Sequence, residues 1–282
     1  MTDTKQDIII EAKNLHFSYE EDGEHALNGV SLKIRKGSKV AFMGANGCGK
    51  STFFLCCNGI YKPDSGTILY NGKPVDYSKK GLLDLRSKVG IVFQDPDNQL
   101  FSASVYQEIS FGALNMGMAA DEARTEVEGV IEYLEIIPFR DRPAHALSGG
   151  QKKQVSIADI LVMHPDAKHT KKVNQIVDKL AGEGMTILMA THDINYALSW
   201  ADEIVLMHEG KVLLQADPVA VCTNKKALDL TNQEEPAVLR LFEQLKSKGV
   251  LKKDLTPPMR MEELEHYIQI SVSGVPEERK AL

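Results

Sequence analysis

The alternation of apolar and polar residues near the start of the chain predicts β-strands. Residues 8–19 and 26–34 mix β-branched or aromatic residues with polar ones at a loose period of two, as half-buried strands do. Short, uninterrupted apolar runs at residues 39–43, 89–93 and 186–190 are typical of strands buried in a parallel sheet. The pattern therefore predicts a sheet whose strands come from distant parts of the chain.

Turn residues and helical spacing fill the intervals between these strands. Residues 63–74 predict a hairpin between two turns, and residues 203–214 predict another that turns at Glu209 and Gly210. Residues 104–137 are amphipathic with a helical period. The apolar positions that define the buried face of this segment are Val127, Val130, Ile131 and Leu134.

Much of the remaining chain favours helix. The apolar residues 53–60 suit a helix, as do residues 151–163, and Asp193 is placed to cap another. After about Asp217 the chain is mostly helical, and the proline pair at 257–258 interrupts it before a last helix. Strands that alternate with helices predict an α/β fold with a mostly parallel sheet.

The composition is that of an ordinary soluble globular protein. The chain has 282 residues, of which 43% are hydrophobic and 26% charged, enough to bury a core without cross-links. A net charge of −6 argues against a nucleic-acid coat or a polybasic membrane anchor. The longest apolar run, residues 53–57, is far shorter than the roughly 20 residues that span a bilayer, and the N-terminus shows no signal sequence. The four cysteines form no metal-type pair, which favours free thiols in a reducing cytoplasm.

A glycine-rich loop follows the apolar run at residues 39–43 and matches the phosphate-binding pattern G-x-x-x-x-G-K-[ST] in full. Glycines let successive backbone N–H groups curl around an anion, and a following helix presents its free N–H groups to the same phosphates. Lys50 can reach the β- and γ-phosphates, Ser51 can bind Mg²⁺, and Cys48 is expected to be a small filler. The residues of this phosphate loop are Gly44, Ala45, Asn46, Gly47, Cys48, Gly49, Lys50 and Ser51.

A second motif, Leu-Ser-Gly-Gly-Gln at residues 147–151, opens the helix predicted over residues 151–163. Serine and two glycines begin many helices, so the motif is weak alone, but downstream of a complete phosphate loop it is specific. With this pair of motifs the sequence resembles the nucleotide-binding subunits of ATP-binding cassette transporters over about residues 8–221. The glutamine loop and switch histidine of that family would be Gln94 and His192.

Further stretches resemble one branch of the family. Residues 93–112 look like the ATPases of energy-coupling-factor importers, and residues 81–96 resemble their cobalt and nickel branch, the CbiO-type subunits. Vitamin importers built on the same module are the alternative. The resemblance implies a P-loop NTPase cassette with a mostly parallel sheet, an antiparallel β subdomain and a helical signature subdomain at about residues 97–163. The cassette domain would cover residues 1–216, and a mostly helical extension would cover residues 217–282.

The resemblance implies a role for each residue around the chain's own nucleotide. Tyr19 would stack on adenine, and the phosphate loop, extended to Thr52, would cradle the phosphates of ATP. Ser51 and Gln94 would bind Mg²⁺, and Gln94 would also touch the attacking water and signal to the membrane subunit. His192 would sense the γ-phosphate.

The resemblance also implies partner chains. Two such chains, in a homodimer or a heterodimer, would sandwich two ATP molecules, and Ser148, Gly149, Gly150 and Gln151 would hold the nucleotide bound by the opposite chain. A transmembrane coupling subunit and a substrate-binding membrane subunit would complete the importer, with this chain peripheral at the cytoplasmic face of the cell membrane. Nucleic acid is not an expected partner, because cassette proteins that act on DNA or ribosomes usually carry two cassettes or a long coiled-coil insert.

The segment that follows Gln94 is the predicted contact with the transmembrane subunit. Its apolar residues would seat a helix of that partner, and ordinary core packing is the alternative interpretation. These residues are Leu100, Phe101, Val105 and Phe111. No cluster of His, Cys, Asp or Glu has ligand spacing, so this chain is not expected to bind a transported metal ion itself.

One element of the family is missing from the sequence, namely the buried strand that ends in Asp and Glu together with its short loop. The chain runs from the apolar residues 160–163 directly into residues 164–171, where no such pair occurs. From Gln151 to His192 it advances 41 positions, about a dozen fewer than the family spacing. The sequence therefore predicts an in-frame gap.

Two nearby carboxylates do not replace the missing pair. Asp166 is only a superficial match, because His164 and Pro165 interrupt the apolar run, and Asp159 suits packing or solvent better than a metal ion. Losing the water-orienting Glu should lower hydrolysis about 10²–10⁴-fold. Two interpretations follow: a damaged or variant form of a working transport ATPase, or a hydrolysis-deficient nucleotide-binding subunit that completes the site of an intact partner.

Overall fold

The computed structural model describes residues 7–20, 23–92, 100–115, 117–162, 180–182 and 184–273. The chain divides into two compact units. The first consists of Met1–Glu11, Arg35–Gly37 and Thr52–Ile187, and the second of Ala12–Ile34, Ser38–Ser51 and Leu188–Leu282.

The described strands form two four-stranded sheets, in the orders β2-β1-β4-β5 and β6-β3-β7-β8. The strands are β1 (Ile8–Ser18), β2 (His25–Arg35), β3 (Lys39–Met43), β4 (Ser65–Tyr70), β5 (Lys73–Pro74), β6 (Ile187–Ala190), β7 (Glu203–His208) and β8 (Lys211–Ala216). β3 pairs with β7 in parallel, whereas β4 pairs with β5 and β7 with β8 in antiparallel fashion. The first three predicted strands and both predicted hairpins are therefore confirmed.

The helices of the described residues also follow the sequence pattern. They are α1 (Lys50–Cys57), α2 (Lys79–Arg86), α3 (Val105–Asn115), α4 (Ala120–Tyr133), α5 (Gly149–Val162), α6 (Ile194–Trp200), α7 (Pro218–Cys222), α8 (Lys225–Leu230), α9 (Ala237–Ser247) and α10 (Met261–Ser273). Helices do follow the phosphate loop, open at the second motif and dominate the chain after Asp217, as predicted.

The second unit gives the phosphate loop a rigid support. From Val40 to Met43, the side chains of β3 are fully buried, and those of β7 from Ile204 to Met207 are almost so. The β7–β8 hairpin turns at Glu209 and Gly210, which have φ of 46° and 72° and so suit a tight two-residue connection. Apolar strands packed on both faces hold the end of β3, where the loop begins, in one place.

Apolar side chains from α3, α4 and α5 share one core in the first unit. The face predicted from helical spacing is buried there: Val127 and Ile131 are fully buried, and Val130 and Leu134 are 3% and 2% exposed. Helices packed in this way bury a stripe of residues at positions three and four apart. The amphipathic prediction for this segment is confirmed.

Of two further predicted buried strands, one is absent and the other forms without being buried. Residues 89–92 form no strand, and Val92 is 39% exposed; the carbonyl of Val89 instead accepts a hydrogen bond from the Asn58 side chain. Residues 187–190 do form β6, but it ends the order of its sheet and its side chains are half-buried or exposed. The side chains of an apolar strand are buried only where other elements cover the faces of the sheet, and a short apolar run does not reveal that cover.

Asp159, on α5, carries a buried carboxylate that should destabilise the fold at neutral pH. Among the described residues its Oδ1 atom has no hydrogen-bond partner. Burial raises the pKa of Asp159 well above its usual value, and the nearby charge of Glu108 raises it further. We expect Asp159→Ala to increase the free energy of unfolding at pH 7 by about 1–3 kcal/mol, the cost of an unsatisfied buried polar group.

The gain in the free energy of unfolding for Asp159→Ala should depend on pH. A carboxyl whose pKa is raised by folding binds more protons in the folded state, so its penalty appears as the pH rises above about 4, where the unfolded chain ionises. Chemical denaturation from pH 4 to pH 8 should therefore show a gain for Asp159→Ala that grows with pH. The exposed Asp254 supplies a matched control, Asp254→Ala, which should show no such gain. A gain independent of pH would contradict the assignment.

Candidate functional site

The phosphate loop joins β3 to α1 and needs its glycines for steric reasons. Gly44 has a φ of 140°, and a Cβ atom there would lie 2.2 Å from the carbonyl oxygen of Met207. Gly49 has a φ of 104°, and its Cβ would lie 2.5 Å from the carbonyl oxygen of Ala26. A Cβ at either position would collide with the backbone of a neighbouring strand, β7 or β2, and both φ angles are positive, so the loop keeps its curled backbone only with glycine.

The ammonium group of Lys50 lies inside this loop. Its Nζ donates hydrogen bonds to the carbonyl oxygens of Gly44 at 2.8 Å and Ala45 at 3.0 Å, and the side chain is 8% exposed. Beside the loop, Ser51 is exposed while Thr52 is buried. A curled loop backbone that holds a lysine ammonium is complementary to a polyphosphate. The exposed hydroxyl of Ser51, directly after Lys50, is at the position where the motif predicts a metal ligand.

The cysteines are buried and unpaired in the structure, as the sequence predicts. Cys48 is 5% exposed and its Sγ atom lies 3.5 Å from Lys50 Nζ, so it fills space within the loop. Burial raises the pKa of Cys56 and of Cys222 to about 12. These two thiols are therefore protonated at neutral pH and poor nucleophiles.

His192 lies next to the end of β6. The backbone N–H of Thr191 donates to the carbonyl of Phe42 on β3, which fixes this end of β6 beside the strand that precedes the phosphate loop. Asp193 caps α6, because its carboxylate accepts hydrogen bonds from the N–H groups of Asn195 and Tyr196, and this confirms the predicted cap. The imidazole of His192 is exposed.

Tyr19 follows β1 and lies in the same unit as the phosphate loop. Its side chain is 60% exposed, and its ring meets the edge of Phe17 with centroids 5.2 Å apart. Phe17 is itself buried, so it supports the exposed ring from below. An exposed aromatic face held by a buried neighbour is a suitable platform for a base.

The second motif begins α5 with a reciprocal cap. Ser148 Oγ accepts a hydrogen bond from the N–H of Gln151, and Gln151 Oε1 accepts one from the N–H of Ser148. A Cβ atom added at Gly149 or Gly150 would meet nothing within 4 Å. No packing within the described chain therefore requires glycine at these exposed positions.

The structure corrects part of the predicted contact with a membrane partner. Leu100 and Val105 are buried in the core of the first unit, so they cannot seat a partner helix. Phe101 is 70% exposed and Phe111 48% exposed, and their rings meet edge to face with centroids 5.1 Å apart. We call these two rings the aromatic pair.

Glu108 supports the aromatic pair, a role that the sequence pattern does not reveal. Its side chain is 4% exposed, and Oε2 accepts hydrogen bonds from the backbone N–H groups of Phe101 at 2.9 Å and Ser102 at 2.5 Å. Its only signal in the sequence is an acidic residue directly before the apolar Ile109 in a segment with helical spacing.

Several predicted features lie outside the described residues. They are Gln94, with most of the segment between it and Leu100, and the interval of residues 163–179 that contains Asp166 and the expected gap. Within the described part of the chain, no group of three or more His, Cys, Asp or Glu residues is placed to hold a metal ion. Across the described helices, none combines the length and the apolar character needed to span a bilayer.

Known proteins are similar to this chain over most of its length. The family model "ABC transporter" matches residues 27–167. The chain is 43% identical over 256 residues to the energy-coupling factor transporter ATP-binding protein EcfA3 of Clostridium perfringens, covering 86% of this chain and 90% of that protein. It is 38% identical over 252 residues to the corresponding EcfA of Methanocaldococcus jannaschii, covering 85% and 90%.

Solved structures are similar in fold as well. The structure of cbiO1 from Clostridium perfringens, part of the ABC transporter complex cbiONQ, has a TM-score of 0.66 at 44% identity and covers 84% of this chain and 99% of that one. The dimeric post-hydrolysis structure of the ATP-binding cassette MJ0796 with ADP and Pi has a TM-score of 0.64 at 26% identity and covers 74% and 99%. The predicted α/β cassette fold, with its antiparallel sheet and helical subdomain, is confirmed by this likeness.

Proposed function

Since the chain belongs to the ABC transporter family, among the ATP-binding proteins of energy-coupling factor importers, we propose that it binds MgATP at the phosphate loop and closes on a second cassette. In doing so it drives the import of cobalt or nickel ions through a transmembrane partner. The observation that carries this proposal is the loop itself, which needs two glycines for steric reasons and holds the ammonium of Lys50 at the carbonyls of Gly44 and Ala45. A curled, glycine-dependent backbone with a cation beside it suits a triphosphate.

Each residue acts on the nucleotide in a distinct way. The loop N–H groups and Lys50 neutralise the phosphates, and Tyr19 stacks on the adenine. Mg²⁺, when bound, draws charge from the β- and γ-phosphates; Ser51 and Gln94 would hold it. His192, which follows the strand beside the loop, reads the γ-phosphate.

The second motif completes the site of the opposite chain. Ser148, Gly149 and Gly150 are exposed and the glycines face open space, which supports an approach by another molecule rather than an internal packing role. The capped start of α5 offers its N–H groups to a phosphate held by that molecule. The second ATPase subunit is thus either a copy of this chain or a related one.

The remaining parts of the proposal concern the membrane. The aromatic pair receives a helix of the transmembrane coupling subunit, and a separate membrane subunit binds the substrate. The chain is peripheral at the cytoplasmic face of the cell membrane. Residues 1–216 form the cassette domain and residues 217–282 a helical extension.

The choice of cobalt or nickel is supported by the resemblance of residues 81–96 and by the likeness to cbiO1. The competing choice within the same family is a vitamin importer, since the subunit that binds the substrate is a different chain. Uptake assays with the assembled transporter, using labelled Ni²⁺ and labelled vitamins in parallel, separate the two.

Hydrolysis by this chain depends on the proposed gap. The alignment with EcfA3 spans 256 positions, yet the 86% of this chain that it covers amounts to fewer residues than that. Some aligned positions therefore have no residue in this chain, and this supports the proposed gap. A chain without the Asp-Glu pair would bind ATP and dimerise but turn over slowly. The alternative function, a hydrolysis-deficient subunit that completes an intact partner, keeps every other role above.

The proposal is tested by Gly150→Ala, with Gly129→Ala on α4 as the matched control. Both glycines lie in helices, and an added Cβ at either would meet nothing within 4 Å, so neither change should destabilise the isolated chain. Gly129→Ala, in a helix interior, should stabilise it by about 0.5–1 kcal/mol. Only Gly150→Ala places a methyl group against the opposite nucleotide, and it should weaken MgATP-dependent dimerisation about tenfold or more.

Analytical ultracentrifugation with and without MgATP measures this dimerisation, and thermal unfolding measures stability. The expected pattern is a stably folded but poorly dimerising Gly150→Ala and a more stable, normally dimerising Gly129→Ala. Equal dimerisation of both variants and the unaltered chain would show that the second motif does not contact nucleotide.

A further inference from the structure

Two histidines that precede the phosphate loop in the sequence lie side by side on neighbouring strands. His16 is on β1 and His25 begins β2, and β1 and β2 are adjacent in their sheet. Their ring centroids are 5.6 Å apart, and the ring planes meet at 73°. His16 is half-buried and His25 exposed, so water and small ions reach both.

The separation of the rings suits a shared metal ion. Imidazole nitrogens bind Zn²⁺ at about 2.0–2.1 Å, so two rings on one ion have centroids about 4.5–6 Å apart. The observed 5.6 Å lies within that range. Small rotations of the side chains would then bring one nitrogen from each ring to a common point.

The surroundings hold one ring and leave room at the other. Nδ1 of His25 shares a hydrogen bond of 2.7 Å with Ser18 Oγ, which orients the ring and leaves Nε2 as its coordinating atom. The His16 ring lies beside Gly29, where an added Cβ atom would be in van der Waals contact with Nε2 at 3.7 Å. Glycine at this position leaves the His16 ring more room to turn than a residue with a side chain would.

We propose that His16 and His25 form a two-imidazole site for a divalent transition-metal ion such as Ni²⁺, Cu²⁺ or Zn²⁺, with water completing the coordination. Imidazole ligands select these ions over Mg²⁺ and Ca²⁺. The ion would tie β1 to β2 at the base of the connection that carries Tyr19. The proposal does not depend on the ion that the importer carries. The sequence alone does not reveal this pair of ligands, because nine positions separate His16 from His25.

The test uses the full chain without an affinity tag and NiCl₂ alone, without nucleotide, in isothermal titration calorimetry. We expect His16→Asn and His25→Asn each to weaken one Ni²⁺ site at least tenfold and the double variant to abolish it. Ser18→Ala should weaken it less, because it removes the hydrogen bond that orients His25 and leaves both imidazoles in place.

The exposed His145, on a short helical turn, supplies the control His145→Asn, which should bind Ni²⁺ as the unaltered chain does. Circular dichroism establishes whether each variant is folded. If the double variant does not fold, the folded single variants provide the test. Ni²⁺ binding that is absent from the unaltered chain, or that survives in folded His16→Asn and His25→Asn, overturns the site.

Discussion

Restoring a strand that ends in Asp-Glu, with its short loop, between Asp166 and Lys168 should raise steady-state ATP hydrolysis by about 10²–10⁴-fold. That factor is the usual contribution of a positioned general base, and the added Glu would orient and polarise the attacking water. The restored strand would also give the apolar, half-exposed β6 a partner. The added Glu and the restored strand would both raise hydrolysis, so a control has to separate the two effects.

The matched control inserts the same strand and loop with Asn-Gln in place of Asp-Glu. It should restore the fold, as judged by circular dichroism and thermal unfolding, without restoring hydrolysis. A coupled-enzyme assay of the three proteins then assigns the rate to the carboxylates. Rapid hydrolysis by the chain without any insertion would refute the proposed gap and make Asp166 the first carboxylate to substitute.

Lys50→Ala should weaken ATP binding about 10–100-fold, the second large effect. The ammonium is the one side-chain cation held inside the described loop, by the carbonyls of Gly44 and Ala45. Hydrogen bonds from a charged donor are worth about 1.5–3 kcal/mol, which corresponds to that range of affinity. The glycines at 44 and 49 remain, so the loop itself should keep its shape.

Binding can be followed through Trp200, the only tryptophan of the chain, which lies on α6 eight positions after His192. Lys36→Ala, at an exposed turn before β3, is the control and should leave the affinity unchanged. Equal affinities for Lys50→Ala and the unaltered chain would mean that ATP binds elsewhere.

Local pattern predicted the fold wherever local chemistry decides it. The run at 39–43 became β3 with the same bounds, because five apolar residues between turn signals suit a buried strand and the glycine loop follows at once. Asp193 became a helix cap for the same reason, since its carboxylate needs only the next three residues. These features depend on neighbours in sequence.

Features that depend on distant neighbours were not predictable. Leu100 and Phe101 are adjacent and equally apolar, yet one is buried and the other 70% exposed, because burial depends on how α3 packs. The run at 89–92 has the composition of a strand, yet no described strand pairs with it. Glu108 acquires its role only when the segment before α3 folds back onto it.

The position of β6 at the end of its described sheet bears on the lifetime of the protein in a cell. Among the described strands β6 has a neighbour on one side only, and backbone groups left unpaired on the other side of a strand would offer a template for any extended segment. Such surfaces recruit chaperones and invite proteolysis or co-aggregation during synthesis. The abundance of this chain in its host should therefore be governed by quality control as much as by transcription, and should rise when that side of the sheet is covered.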